Sequence, residues 1–166
     1  MNRPIKFRAK GRSDGQWHYG SLLQIGDDLS IATNTEGAFE MSNVAPETIG
    51  QFTGLHDERS TEIYEGDILY ADFMYGRVVN GGYAPDECLC WGVVEFDDIN
   101  LRWSLNVYKA ESYISEIIKQ NECPLIDLYL FNEDSGYEYA SPLMTVIGNI
   151  HDNPELIEKN RIVDND

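Results

Sequence analysis

The stretch Thr48-Ile-Gly-Gln-Phe-Thr-Gly-Leu-His-Asp-Glu-Arg-Ser-Thr-Glu-Ile-Tyr-Glu-Gly-Asp-Ile-Leu69 decides how the chain is read. Ile49 and Phe52 flank a strand that carries Gly50 and closes at Gly54 and Leu55. A polar turn runs from His56 to Glu62, and Ile63 and Tyr64 lead into Glu65-Gly66-Asp67, a tight reversal before Ile68 and Leu69. Glycine and aspartate at such points supply the backbone freedom and the local acceptors that turns need. The stretch predicts strand, turn, strand, a junction between an N-terminal meander (1–62) and a second lobe (63–166). Glu65-Gly66-Asp67 reads as the turn that launches the second lobe's first strand and packs near Ile147-Gly148-Asn149.

Upstream, Ile5, Phe7 and Ala9 alternate with Lys6 and Arg8, the period of a strand with one buried face. Ser13-Asp14-Gly15 predicts a hairpin into Trp17, Tyr19 and Leu22-Leu23. Asp27-Asp28 punctuates the next reversal, and short strands continue to Met41, with Pro46 ending the meander. Downstream, Trp91 to Phe96 turns through Asp97-Asp98-Ile99-Asn100 into Leu101 to Leu105, with Trp103 and Leu105 toward a core and Arg102 and Ser104 toward water. The order Gly66-Asp67-Ile68, long loop, Gly92-x-Val94-x-Phe96, turn, strand is similar to that of SH3-like barrels. The expected class is mainly β, α+β only at the margins: an SH3-like barrel or roll after the meander.

Phe73 to Cys90 is a turn-rich excursion, read either as a source of binding contacts or as an extended hairpin arm or oligomer contact. Its aromatics and the Trp beyond it, Tyr75, Tyr83 and Trp91, are the candidate interaction residues. Tyr113, Ile114, Ile117 and Ile118 fall on one helical face and predict an inserted helix over 110–120, stopped by Pro124. Residues 125–131 read as a strand, 132–136 as a turn and 137–139 as its return. Met144 to Ile150 closes the fold, and Asp152-Asn153-Pro154-Glu155 starts a short helical turn with an Asx cap and proline in the first turn.

Three separated motifs carry a resemblance. They are Arg3-Pro-Ile-Lys-Phe-Arg-Ala9, the I-G-Q-F-T-G-L-x-D and I-Y-E-G-D-I runs of the opening stretch, and Val146-Ile-Gly-Asn-Ile-His-Asp-Asn-Pro-Glu-Leu156. Together, in this order, they resemble the YopX family of phage and prophage proteins. The poorly matched segments are 73–90 and 110–142. The resemblance implies the SH3-like lobe and a phage-derived accessory protein, and it brings no catalytic or ligand residues with it. It assigns a structural part to Gly50, Phe52, Gly54, Leu55, Tyr64, Glu65, Gly66, Asp67, Ile147, Gly148, Asn149, Asn153 and Pro154. A short echo links Ile49-Gly50 and His56-Asp57 with Ile147-Gly148 and His151-Asp152; a shared strand-exit device explains it more simply than duplication.

The charge narrows function. Twelve Lys and Arg against 29 Asp and Glu leave a net −17, so phosphate is repelled and direct nucleic-acid binding is not expected. Lys6, Arg8, Lys10 and Arg12 share one face of an extended strand, the one cationic stripe, read as a solvated face balancing nearby acids. Three cysteines, Cys88, Cys90 and Cys123, suit reducing cytoplasm, and neither a leader nor an apolar run of bilayer length is seen. Cys88-x-Cys90 lacks the paired knuckles of a structural zinc site.

His56-Asp57 and His151-Asp152 have no nucleophile elbow beside them, and Glu65, Asp67, Glu95, Asp97 and Asp98 sit where carboxylates serve turns. Gly81-Gly82 lacks the lysine and helix of a phosphate loop. The expectation is therefore a non-catalytic protein, without metal or cofactor, that binds a protein partner or self-assembles as an oligomer. An acidic mimic of DNA and a metal-assisted hydrolase are the two alternatives, the first from the charge and the second from the histidines and carboxylates.

Overall fold

The computed structural model describes residues 4–35, 37–79, 82–111, 125–127 and 143–158, and at 35, 73–79, 82–88 and 125–126 it describes the backbone alone. The chain is mainly β and divides into two units, Met1–Leu55 with Glu62–Glu65, and His56–Thr61 with Gly66–Asp166.

The first unit is built on β1 (Phe7–Lys10), β2 (Trp17–Ile25), β3 (Asp28–Thr35), β4 (Ala38–Asn43), β5 (Gly50–His56) and β6 (Glu62–Tyr64), with a single 3-10 turn at Pro46–Thr48. Its sheet runs β4-β3-β2-β1-β5-β6. The expected turn chemistry makes the first hairpin: Asp14 Oδ1 accepts the Gln16 N–H at 3.0 Å, and Lys10 then lies opposite Trp17. Ala9, Ile31 and Val44 are buried on one face, with Phe7, Leu22, Leu29 and Ile49 packed on them.

The second unit's sheet contains β7 (Asp67–Val79), β8 (Gly82–Asp97), β9 (Arg102–Glu111), β10 (Leu125–Asp127) and β11 (Leu143–Asn149). Its order is β10-β9-β8-β7-β11, open at both ends among the described residues, and not the closed cylinder of a barrel. Leu69, Ala71, Cys90, Val94, Leu105, Val107 and Met144 are buried in it. Gly66 launches β7 as expected, in a left-handed conformation (φ 80) that favours glycine, with its N–H on Val94 O at 2.9 Å. A short helix, α1 (Glu155–Glu158), follows the last strand.

The 73–90 excursion takes the extended-hairpin form of its two readings: β7 and β8 stay in register from Ile68 and Val93 out to Val79 and Gly82, with Pro85 opposite Gly76. Two expectations change. Ala110 and Glu111, expected in a helix, extend β9 opposite Cys90 and Leu89, because a strand edge next to them offers partners that an isolated helix end lacks. Residues 112–124 lie outside the described residues, as do 128–142. Ser104 is fully buried, so the Arg102 and Ser104 side of β9 is not wholly solvated. At the foot of α1, Asn153 Oδ1 turns back to accept the Asn149 N–H at 3.3 Å.

Candidate functional site

In the second unit the two motif stretches converge. Asp67 pairs with Asn149 and Ile68 with Gly148 across β7 and β11, and the Ile150 N–H donates to Gly66 O at 2.9 Å. The loop 56–61 reaches the same strand. Asp57 Oδ1 accepts the N–H groups of Arg59 (2.9 Å) and Thr61 (2.7 Å), and its Oδ2 accepts that of Val146 at 3.2 Å. Beside it the Glu58 N–H donates to Met144 O at 3.0 Å, and Thr145 Oγ1 donates to Glu58 Oε1 at 2.6 Å. Burial works to raise the Asp57 pKa, but the amides of Thr61, Val146 and Arg59 outweigh it and hold the carboxyl below its ordinary value.

A carboxylate held by three backbone donors from the loop and from β11 is a staple between them. His151 and Asp152 sit in a different device, in which Asn149 Oδ1 accepts both their N–H groups at 3.0 Å. The echo between the motifs is thus not one shared turn. Asn153, its carboxamide over Gly148, and Pro154 complete that corner, while Ile147 is 39% exposed. Among the described residues no group of three or more His, Cys, Asp or Glu is placed to hold a metal ion. Nor is any helix long and apolar enough to cross a membrane.

Among the carboxylates expected at turns, Asp97 serves one and Glu95 does not. Asp97 Oδ1 accepts the N–H groups of Ile99 (3.0 Å) and Asn100 (3.1 Å), and the Asn100 side chain, then those amides, lower its pKa. Glu95 instead lies within β8 and accepts Asn106 Nδ2 at 3.0 Å.

The first unit gathers cations and aromatics. Because Arg8 faces Tyr19 and Lys10 faces Trp17, the stripe of β1 and the aromatics of β2 share a face. Arg8 is not solvated: it is 7% exposed, its guanidinium 4.8 Å from the Trp17 ring centre and 5.0 Å from that of Tyr64. Its Nη2 donates to Glu65 O at 3.3 Å.

Lys6 Nζ donates to Glu62 Oε1 at 2.7 Å, Glu62 Oε2 accepts the Tyr64 hydroxyl at 2.7 Å, and Arg12 Nε donates to Val44 O at 3.0 Å. Burial first, then the Glu62 carboxylate, drives the Tyr64 pKa upward, so the phenol stays a donor. Tyr64 also meets Phe52 at 5.5 Å and Tyr19 at 5.6 Å between ring centres. Sequence reading placed the cations on one face and missed the aromatics, whose arrival depends on hairpin register. Arg8→Lys is expected to destabilise by about 1–2 kcal/mol, because an ammonium cannot stack flat between two rings. Chemical denaturation checks this, and loss of the near-ultraviolet signal of Trp17 should accompany it.

The second unit has a smaller stack at the root of its hairpin. Trp91 lies 5.2 Å from Tyr70 between ring centres, with Lys109 Nζ 3.9 Å from its own. Tyr75 and Tyr83 stand opposite Asp86 and Val78 along the hairpin, and their side chains lie outside the described residues. Gly54 and Leu55 remain within β5.

The largest exposed apolar side chains on one sheet face lie elsewhere. By strand alternation Tyr19, Ile25, Phe39 and Met41 all project on the Arg8 face of the first unit, 43%, 64%, 65% and 45% exposed.

Comparison with known proteins comes to little beyond the family. No curated protein matches the chain. A solved structure, the crystal structure of protein EF1440 from Enterococcus faecalis, is similar at 22% identity, covering 93% of this chain and 98% of that one with a TM-score of 0.43. The model of the YopX protein family matches residues 6–158, nearly the whole length, and the chain belongs to that family.

Proposed function

We propose that the chain is a non-catalytic, phage- or prophage-derived accessory protein of the bacterial cytoplasm that works as a binding or self-assembling module. The observation that carries the reading is the exposed apolar face of the first unit, with Tyr19, Ile25, Phe39 and Met41 on one side of a single sheet. Monomeric surfaces rarely group several large apolar side chains unless something docks there. The three backbone amides on Asp57 support the same reading, since they use that carboxylate for architecture. The hairpin that carries Tyr75 and Tyr83, with Trp91 at its root, offers a second surface. An SH3-like roll remains our reading of the second unit, supported by bulges at Val146/Gly148 and Trp91/Gly92 that coil its sheet.

Light scattering after size exclusion, over a wide concentration range, tests self-assembly, and affinity capture from an induced host lysate tests partner binding. Phe39→Asp is expected to abolish either signal without unfolding the chain. A monomer that captures nothing would end the proposal.

A further inference from the structure

Among the described residues β4 is the outer strand of the first unit's sheet, held at its far end where Gly11 bridges Val44 and the Ala45 N–H donates to Lys10 O at 2.9 Å, and its hydrogen-bonding phase can be fixed. The Val44 N–H donates to Leu29 O at 3.0 Å, so Val44 and Leu29 form a hydrogen-bonded pair. In an antiparallel ladder such pairs alternate. Ser42, Glu40 and Ala38, opposite Ile31, Thr33 and Thr35, therefore turn their N–H and C=O groups toward β3, while Asn43, Met41 and Phe39 turn theirs outward. An independent contact agrees: the outward C=O of Asn43 accepts the Arg12 N–H at 2.9 Å. Phe39 and Met41 thus present outward main-chain groups and, on one face, exposed apolar side chains.

Open edges are usually guarded by lysine, proline or a bulge. β4, Ala-Phe-Glu-Met-Ser-Asn, has no lysine and no proline, and its register with β3 runs unbroken. Its only charge is Glu40, on the face opposite Phe39 and Met41. Deepening the binding-module reading on which it rests, we propose that β4 accepts an extended segment of a basic protein partner, which adds to the sheet as a further strand. The segment would carry apolar side chains beside Phe39 and Met41 and, between them on the other face, Lys or Arg beside Glu40.

Charge decides the occupant. A second copy would bring a net −17 against a net −17, and the antiparallel register that sets Phe39 against Met41 of the copy would also set Glu40 against Glu40. A cationic strand is attracted by the same charge and satisfies Glu40.

The test uses the full chain, isotopically labelled, with a panel of short synthetic peptides that have Val, Phe or Tyr at alternate positions and Lys or Arg between. At physiological salt, members of the panel are expected to bind and to shift the amide resonances of Phe39 and Met41. Peptides of the same composition with the charges in one block should bind about tenfold more weakly or worse. Met41→Pro removes an outward N–H and no ladder bond, so thermal unfolding should be nearly unchanged while binding falls about tenfold or more.

Glu40→Lys should weaken the cationic peptides and admit the Glu-bearing counterparts. Equal binding of the block peptides, or of Met41→Pro, would show attraction by net charge alone and overturn the proposal. So would a panel that leaves β4 unshifted, or a dimer that Met41→Pro dissolves, the latter naming a second copy as the occupant. If the panel fails while lysate capture succeeds, only the β4 assignment falls; if both fail, so does the binding-module reading.

Discussion

Asp57→Ala is expected to lower the unfolding free energy by about 3 kcal/mol, since it strands amide groups that a buried charged acceptor now satisfies. The three amides are those of Arg59, Thr61 and Val146, and the carboxylate that serves them is 7% exposed. Two donors lie inside the loop and one on β11, so the loss should unfasten 56–61 from that strand as well as loosen the turn. Urea denaturation measures the total, and the hydrogen exchange of Val146 reports the strand contact separately.

The pH dependence follows from the direction of the shift. The folded pKa of Asp57 lies below the ordinary 3.8, so its contribution is fully present above that value and is lost as pH falls through the lower, folded one. The stability gap between the natural chain and Asp57→Ala should therefore be flat from neutral pH down to about 4 and narrow in stronger acid. A gap that widened in acid would contradict the staple.

Gly50→Ala is the second large effect. A Cβ built on Gly50 would lie 2.5 Å from the main-chain oxygen of Glu65, which cannot swing aside as a side-chain tip can. Gly50 also faces Arg8 in the β1–β5 ladder, and that same Glu65 oxygen accepts the Arg8 guanidinium. Relieving the clash means moving the carbonyl away from its donor or opening the ladder, at about 2–3 kcal/mol. Denaturation should show the loss, and the Trp17 signal should change with it, because Arg8 stacks on that ring. An unchanged Trp17 environment with full stability would mean that the close approach is not a constraint.

Much of the architecture was legible wherever turn chemistry is local. Asp14 and Asp97 each mark a reversal that their own sequence neighbours complete, Gly66 marks one by its left-handed backbone, and these were read correctly. The convergence of Gly66-Asp67 with Asn149 was also expected and is found. What escaped was information held between distant strands. Arg8 looked like one of four solvated cations, because only the pairing of Lys10 with Trp17 brings an aromatic over it. Asp57 looked like a surface turn residue, because nothing near it in sequence announces that Val146 will supply its third donor. Gly76, Gly82 and Pro85 marked a turn-rich excursion and left the hairpin as one of two readings; a long two-stranded ladder tolerates them because Pro85 stands opposite Gly76, two weak strand formers paired with each other. The open edge at β4 was invisible for the same reason, since outward phase is a property of the ladder and not of Ala-Phe-Glu-Met-Ser-Asn.

The central claim is that the motif stretches are scaffold and that the β4 edge at Phe39 and Met41, open among the described residues, is the working surface. Amide hydrogen exchange of the free protein tests it most directly. Within β4, Glu40 and Ser42 should exchange slowly and Phe39 and Met41 fast, while Thr61 and Val146 stay protected in the second unit. Uniform protection along β4, or fast exchange at Thr61 and Val146, would contradict it.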